Sequence, residues 1–353
     1  MIRLPDFPWD QLAPLGDKAR THSDGIVDLS IGTPVDPVPE VIQAALKLHA
    51  NSPGYPPTVG IAQLQDSLRT WSMKHLSGGR PVSVIPSIGS KEMVTLLPML
   101  LGAKRVLYPE IAYPSYAVGA LIAGATAIPV SADPATWPEA DLVWLNTPSN
   151  PTGEVLSPEQ LAASVRWAKA NNAVLASDEC YFELGWEVTP TSALSVPESE
   201  SAKVITLYSL SKRSNLAGYR AGFVAGNNEV ISELLEVRKH IGLMTPGPVQ
   251  QAMIAALADE EHVQVQRERY RNRRVLLRQA FESAGFTVEH SQAGLYLWMT
   301  RNEDCWQSAT WLSERGILVA PGSFYGEKCR QYIRAALTVT DERVAAAVKR
   351  LAS

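Results

Sequence analysis

Residues 204–222 read VITLYSLSKRSNLAGYRAG, an apolar run followed by a group of polar and basic residues. Its first five residues form an apolar run, which is typical of a strand covered on both faces in a mostly parallel sheet. Ser209, Ser211 and Lys212 follow at the strand end where α/β sheets bind their ligands. A lone lysine after a strand is usually a solvated charge, whereas at a ligand-binding edge it is suited to bond covalently to a carbonyl cofactor. Taken alone, this stretch leaves both interpretations open.

The rest of the chain repeats the same alternation of apolar runs and helical stretches. The runs predict strands over residues 82–86, 105–108, 127–130, 142–145, 173–177, 204–208 and 221–225. Helical patterns fit residues 91–101, 114–123 and 158–171, the last opening with Ser157 as N-cap before Pro158. The chain therefore predicts an α/β fold with a mostly parallel, seven-stranded sheet.

The pattern changes after residue 247. A helix from about residue 248, interrupted near Asp259, precedes mixed strands and helices and a final helix from Thr340. We predict a large domain over residues 26–247 and a smaller α+β domain over 248–353. The proline-containing segment 1–25 is predicted to be extended and to pack on the small domain or a partner subunit. The polar loop 190–202 is predicted to be a surface excursion.

Length, charge and cysteine content exclude several protein classes. The 353 residues fit about two domains. A net charge of −4 gives no overall positive field to hold nucleic acid or an anionic membrane. Three distant cysteines form no disulfide framework, and the N-terminus has no apolar signal sequence, so we expect a cytoplasmic protein. The uncharged stretch 111–132 contains prolines and glycines, and we predict buried core there rather than a membrane span.

Three further motifs lie at predicted strand ends. Asn146-Thr-Pro-Ser-Asn150-Pro-Thr-Gly follows one strand, Asp178-Glu-Cys-Tyr181 ends another, and Gly-Ser90-Lys opens a helix after a third. Each has an ordinary structural interpretation as a turn, a cap or a helix start. Phosphate-loop, zinc-protease, serine-hydrolase and dinucleotide motifs are absent, so the sequence indicates no metal and no nucleotide cofactor.

The order of these motifs resembles the fold-type-I pyridoxal-phosphate aminotransferases of class I/II. The resemblance spans nearly the whole chain and implies pyridoxal 5′-phosphate as cofactor. It implies that Lys212 binds the cofactor covalently and moves the substrate proton, and that Asp178 pairs with the pyridine nitrogen, keeping it protonated. Tyr181 and Asn150 would contact the ring 3′-oxygen, and Tyr113 would stack on the ring.

The resemblance also implies sites for two anions. The phosphate would be bound by Ser90, Lys91, Ser209, Arg220 and a neighbouring subunit's Tyr55. The substrate carboxylate would be bound by Arg334 and Gly32, beside Asn150. A tyrosine reaching across subunits implies a homodimer with shared active sites and small amino and keto acids as substrates.

Four segments narrow the resemblance to actinobacterial N-succinyldiaminopimelate aminotransferases: 7–10, 32–39, 209–218 and 316–322. It implies amino transfer from L-glutamate to N-succinyl-2-amino-6-oxopimelate, in lysine and diaminopimelate biosynthesis. Alternatives are another class I/II aminotransferase, acting on N-acetylated, aromatic or aliphatic amino acids, and a pyridoxal-phosphate β-lyase. Lys91, Arg213 and Tyr116 are candidates for binding a distal substrate carboxylate, although a surface or packing role is as compatible with each.

Overall fold

A computed structural model describes residues 3–352, so the first two residues of segment 1–25 and the last of 248–353 lie outside the described range. Its strands are β1 Val27–Asp28, β2 Ser83–Ile88, β3 Arg105–Pro109, β4 Thr126–Val130, β5 Leu142–Asn146, β6 Val174–Asp178, β7 Val204–Ser209, β8 Ala221–Gly226, β9 Thr287–Glu289, β10 Tyr296–Thr300, β11 Ile317–Leu318, β12 Ala320–Pro321 and β13 Tyr332–Ala336. Its α-helices are α1 Ala13–Arg20, α2 Glu40–Leu48, α3 Ala62–His75, α4 Gly89–Leu100, α5 Ser115–Ile122, α6 Pro158–Ala170, α7 Leu210–Arg213, α8 Asn228–Ile241, α9 Gly247–Ala258, α10 Glu261–Ser283, α11 Cys305–Glu314 and α12 Asp341–Leu351.

The predicted α/β fold with a seven-stranded sheet is confirmed. The strand order is β2-β8-β7-β6-β5-β3-β4, and β8 alone runs antiparallel to its neighbours. Every residue of β5, β6, β7 and β8 is buried, because helices cover both faces of the sheet. Two apolar clusters, one on each face, hold the helices against it.

The strand directions gather polar residues at one edge of the sheet. Asn146, Asp178 and Ser209 are the last residues of three adjacent parallel strands. Arg220 directly precedes the antiparallel β8, so it starts its strand at the edge where the others end. This edge carries the candidate site described below.

A second, four-stranded antiparallel sheet has the order β12-β13-β10-β9 and its own apolar core. The predicted break near Asp259 is present, since α9 ends at Ala258 and α10 begins at Glu261. Residues 317–321 form two short strands in different sheets, because β11 pairs with β1 and β12 pairs with β13. The domain boundaries at residues 25 and 247 stay a prediction.

Two expectations about local structure were wrong. The N-terminal segment is not extended throughout, because α1 forms there and packs against α11. The loop 190–202 is not a surface excursion, since Ala193, Leu194 and Val196 are buried in the core of the large sheet. The buried carboxylate of Glu179 accepts a hydrogen bond from the Ala193 amide at 2.8 Å, which satisfies a backbone group that burial removes from water.

A local sequence signal predicted where α6 begins. Ser157 forms the predicted N-cap of α6, with a capping box that includes Gln160. The stretch 111–132 contains α5 and β4, as its prolines and glycines indicated. Over residues 3–352, none of the helices has both the length and the apolar character required to cross a bilayer.

Candidate active site

A cavity of about 560 Å³ lies at the polar edge of the large sheet. Eleven predicted site residues line it: Gly32, Ser90, Lys91, Tyr113, Asn150, Asp178, Tyr181, Ser209, Lys212, Arg220 and Arg334. Tyr55 does not line this cavity and is 95% exposed. Its predicted contact with a neighbouring subunit stays a prediction.

Lys212 lies on the four-residue helix α7, directly after β7. The Ser209 hydroxyl caps this helix by accepting a hydrogen bond from the Ser211 amide at 3.2 Å. The Lys212 ammonium donates a hydrogen bond to the Gly32 carbonyl, which lies on a distant segment of the chain. Burial lowers the pKa of Lys212 to about 8, and the nearby charges of Arg334 and Arg220 act in the same direction. The fraction present as neutral, nucleophilic amine near neutral pH is therefore larger than for an ordinary lysine.

Asp178 presents a buried carboxylate to the same cavity. Tyr116 donates a hydrogen bond to its Oδ2 at 2.9 Å, and the Cys180 amide donates to its Oδ1 at 3.2 Å. Between residues 3 and 352, no basic side chain lies within ion-pair distance of this carboxylate. Burial raises the pKa of Asp178, so the carboxylate is suited to a cationic ligand group that would restore its ionised form.

Arg334 is a buried residue that lines the same cavity. Its guanidinium donates to Asn150 Oδ1 at 2.8 Å and to the Ser30 carbonyl at 2.7 Å. Asn146 holds Asn150 in turn, because Asn146 Oδ1 accepts from the Asn150 amide at 2.7 Å. A buried guanidinium with several donors is suited to bind a carboxylate in a bidentate manner.

An anion-binding region lies where α4 begins. Ser90 and Lys91 stand in its first turn, where free amide groups and the helix dipole favour negative charge. The Arg220 guanidinium packs over Gly89, since a Cβ built on Gly89 would lie 2.5 Å from Arg220 Nη2. Gly89 also has a φ of +70°, so glycine serves both the backbone conformation and the close approach.

Tyr296 is a site residue that sequence reasoning missed. Its hydroxyl lies 3.1 Å from the Tyr181 hydroxyl, and its ring centroid lies 3.8 Å from the Arg334 guanidinium carbon. A Cβ built on Gly32 would lie 2.2 Å from the Tyr296 hydroxyl oxygen, so the absence of a side chain at Gly32 makes room for it. The position of Tyr296 depends on the pairing of β10 with β13, for which the sequence carries no direct signal.

Two of the three candidates for a distal carboxylate have other contacts. Arg213 does not line the cavity; it is buried, with Nε 2.9 Å from Glu183 Oε2, and its substrate role was wrong. Tyr116 lines the cavity but directs its hydroxyl to Asp178. Lys91 remains a candidate, since its exposed ammonium lies 5.6 Å from the Tyr113 ring centroid and 5.8 Å from the Phe7 ring centroid.

Comparison with known proteins agrees with this geometry. The family model for aminotransferases of class I and II matches residues 24–351. The chain belongs to this family. Its members depend on pyridoxal phosphate, and the fold is that of the fold-type-I enzymes.

Two curated relatives of this aminotransferase cover 99% of the chain. A probable aminotransferase of Mycobacterium tuberculosis is 52% identical, with 85% of its own length matched. The 4-dedimethylamino-4-oxo-anhydrotetracycline transaminase OxyQ of Streptomyces rimosus is 48% identical over its full length. Among solved structures, a probable N-succinyldiaminopimelate aminotransferase of Thermus thermophilus superposes with a TM-score of 0.87 at 28% identity, covering 98% of this chain and 99% of that one.

The cavity of this aminotransferase fits pyridoxal phosphate by the chemistry of its residues. Asp178 offers a buried carboxylate for the protonated ring nitrogen, and Lys212 offers an amine for the aldehyde. Ser90 and Arg220 offer a helix N-terminus and a guanidinium for the phosphate dianion. Each polar group of the cofactor therefore has a partner of complementary charge or reactivity.

Proposed function

We propose that this aminotransferase transfers an amino group between L-glutamate and N-succinyl-2-amino-6-oxopimelate, giving 2-oxoglutarate and N-succinyl-LL-2,6-diaminopimelate. The observation that carries the substrate class is a pair of cations along one cavity. Arg334 lines it as a buried residue, and the exposed Lys91 ammonium has no ion-pair partner among residues 3–352. The similarity to the probable N-succinyldiaminopimelate aminotransferase of Thermus thermophilus supports the same choice.

Both substrates carry separated carboxylates, which two cations lining one cavity would accommodate. Arg334 would bind the carboxylate next to the reacting carbon, and Lys91 would receive a distal one. The Lys91 ammonium lies 5.6 Å from the Tyr113 ring centroid and 5.8 Å from the Phe7 ring centroid, and the residue is exposed, so its charge is accessible to a ligand. We therefore place the specificity for a second anionic group at Lys91.

The reaction residues are those predicted from the sequence. When bound, pyridoxal phosphate supplies an electron-accepting ring that stabilises negative charge at the substrate α-carbon. Lys212 would take the proton from this carbon and return it to the neighbouring cofactor carbon. Asp178 would keep the ring nitrogen protonated, while Tyr181 and Asn150 would donate hydrogen bonds to the 3′-oxygen.

Binding roles complete the proposal. Tyr113 would stack on the ring, and Ser90, Ser209 and Arg220 would bind the phosphate together with Lys91's amide. We propose a homodimer in which Tyr55 reaches the phosphate of the other subunit, which its exposure supports. A cytoplasmic location is supported by three cysteines that form no disulfide.

A second candidate is the amination of a ketone on a polycyclic aromatic skeleton. The observation that favours it is the 48% identity to OxyQ over that protein's full length. The aromatic side chains Phe7, Trp9, Tyr113 and Tyr296 line the cavity and would suit a large aromatic substrate. The two candidates differ in whether the substrate needs the charge of Lys91.

The deciding experiment measures kcat/KM in the reverse direction for N-succinyl- and N-acetyl-LL-2,6-diaminopimelate and for an aromatic amine. We expect the succinylated substrate to be preferred, and Lys91→Ala to raise its KM about 10-fold, the equivalent of about 1.4 kcal/mol. Lys104→Ala, an exposed lysine outside the cavity, is the matched control and should leave KM unchanged. A preference for the aromatic amine, or an unchanged KM in the Lys91 variant, would contradict the proposed substrate.

A further inference from the structure

Two tyrosine hydroxyls meet at the centre of the cavity. Those of Tyr181 and Tyr296 lie 3.1 Å apart, and both side chains are at least 95% buried. Their rings pack edge to face with centroids 5.7 Å apart. The two residues come from different sheets, since Tyr181 follows β6 and Tyr296 begins β10.

The single proton of each hydroxyl fixes the direction of this hydrogen bond once a ligand is present. A tyrosine hydroxyl donates one hydrogen bond and accepts others. If Tyr181 donates its proton to the cofactor 3′-oxygen, only Tyr296 can donate across the 3.1 Å contact. A hydroxyl that accepts such a bond is polarised and becomes a stronger donor to its own acceptor.

The ring of Tyr296 makes a second contact that reaches the carboxylate site. The Arg334 guanidinium lies 3.8 Å from the ring centroid, whereas Tyr325 and Trp9 lie further away at 5.1 and 5.9 Å. A cation at this distance from an aromatic face is held in place by it. Tyr296 is thus in contact with both Tyr181 and Arg334.

We propose that Tyr296 is a positioning residue that links the carboxylate-binding guanidinium of Arg334 to the hydrogen bond that Tyr181 donates to the cofactor. The proposal rests on the roles assigned to Tyr181 and Arg334 in the proposed function. The Tyr296 hydroxyl orients the Tyr181 hydroxyl and makes it a stronger hydrogen-bond donor. The Tyr296 ring holds the guanidinium where a substrate carboxylate binds.

The two parts of the side chain are separated by two substitutions. Tyr296→Phe removes the hydroxyl and keeps the ring under Arg334. Tyr296→Leu removes both. The matched control is Tyr325→Phe, because the Tyr325 hydroxyl is buried near the same guanidinium and has no hydrogen-bond partner within residues 3–352.

The first measurement is a pH titration of the visible absorbance of the cofactor-loaded enzyme without substrate. Hydrogen bonding to the 3′-oxygen favours the form that has lost a proton, so it lowers the titration midpoint. We expect Tyr296→Phe to raise the midpoint by about 0.5 pH unit, the equivalent of about 0.7 kcal/mol. Tyr325→Phe should keep the wild-type midpoint, and thermal melting of all variants monitors folding.

The second measurement separates kcat from KM for L-glutamate. Tyr296→Phe should lower kcat several-fold and leave KM within about twofold. Tyr296→Leu should in addition raise KM about 5-fold, in the range of a lost desolvated cation–π contact. If Leu does not fold, the Phe variant and its control still decide the role of the hydroxyl.

Tyr181→Phe distinguishes failure of the inference from failure of the proposed function. A midpoint shift in Tyr181→Phe but none in Tyr296→Phe would overturn the link through Tyr296 alone. No shift in Tyr181→Phe would overturn both, because Tyr181 would then not contact the cofactor. Equal shifts in Tyr296→Phe and Tyr325→Phe would also overturn the inference, since they would reflect general packing.

Discussion

Replacing Arg213 by alanine tests the correction of its role most directly. Arg213 directly follows Lys212 in the sequence, and its side chain is buried. Its Nε lies 2.9 Å from Glu183 and its Nη2 lies 3.4 Å from Glu260. Its guanidinium also lies 5.4 Å from the Trp71 ring centroid. Since the side chain faces away from the cavity, we expect a loss of stability with no change in KM for either substrate.

The magnitude follows from the burial of its partners. The Glu183 side chain is only 14% exposed, so removing Arg213 leaves a buried carboxylate without its ion-pair partner and with the Tyr208 hydroxyl as a neutral donor, which costs about 3–5 kcal/mol. Glu260 is 40% exposed, and water compensates most of its loss. With unfolding entropies near 2.1 cal/mol/K per residue, 353 residues convert this to a fall in Tm of about 4–7 °C.

The loss should depend on pH. Burial raises the pKa of Glu183 from its ordinary value of 4.5, and the charge of Arg213 opposes this rise. Without Arg213 the folded-state pKa rises further, so the folded protein holds a proton that the unfolded chain releases. The penalty is then fully present above the folded pKa and decreases as pH falls through it towards 4.5.

Thermal melting of cofactor-loaded enzyme at a series of pH values upwards from 4.5 measures how this penalty changes with pH. Arg20→Ala is the matched control, since Arg20 forms an exposed ion pair with Asp17 at 2.7 Å and should cost at most about 1 kcal/mol. The buried-pair assignment fails if Arg213→Ala melts like wild type, or if it raises KM for the succinylated substrate while stability is unchanged.

Three further predictions concern the cavity itself. Cofactor-free protein should take up pyridoxal phosphate faster as pH rises, because the pKa of Lys212 is lowered to about 8 and the neutral amine attacks the aldehyde. Stopped-flow absorbance should give a plot of rate against pH with its midpoint near 8. A rate independent of pH would contradict this. Gly89→Ala should raise the cofactor dissociation constant about 10-fold or more, because the new Cβ would meet Arg220 at 2.5 Å and the φ of +70° disfavours a side chain. An unchanged dissociation constant in a fluorescence titration would count against the anion site. Tyr116→Phe should weaken cofactor binding about 5-fold and lower kcat, because Asp178 loses a donor that favours its charged form; an unchanged binding constant would show that this hydrogen bond does not tune the carboxylate.

Several predicted site residues line the cavity because they stand where the topology leaves little freedom. Asp178 and Ser209 end buried parallel strands, and such strands end at a common edge whatever their order in the sheet. Tyr296 was missed for the opposite reason. Its position depends on the register of β10 against β13 and on how the small sheet meets the large one, and neither follows from a local pattern.

The same limit explains why sequence reasoning offered Arg213 as a candidate for binding substrate. It is adjacent to Lys212 in sequence, but successive residues of a helix point about 100° apart, so one side chain enters the cavity and the next enters the core. The loop 190–202 failed for a different reason. Its polar residues indicated exposure, yet Glu179 and the loop's own hydroxyls accept hydrogen bonds from its backbone amides inside the protein.

The single antiparallel strand accounts for the order of charges in the cavity. β6, β7 and β8 are adjacent, and they supply Asp178, Lys212 and Arg220 at one edge of the sheet. Neighbouring strands lie about 4.8 Å apart, so about 10 Å separates the carboxylate strand from the guanidinium strand, with the lysine strand between them. A substituted pyridine with a cationic nitrogen, a carbonyl and an anionic phosphate arm presents its groups in this same order. In the reversed orientation the phosphate would lie beside Asp178 and the cationic nitrogen beside Arg220, so like charges would meet at both ends. The strand order would therefore favour one orientation of the ligand.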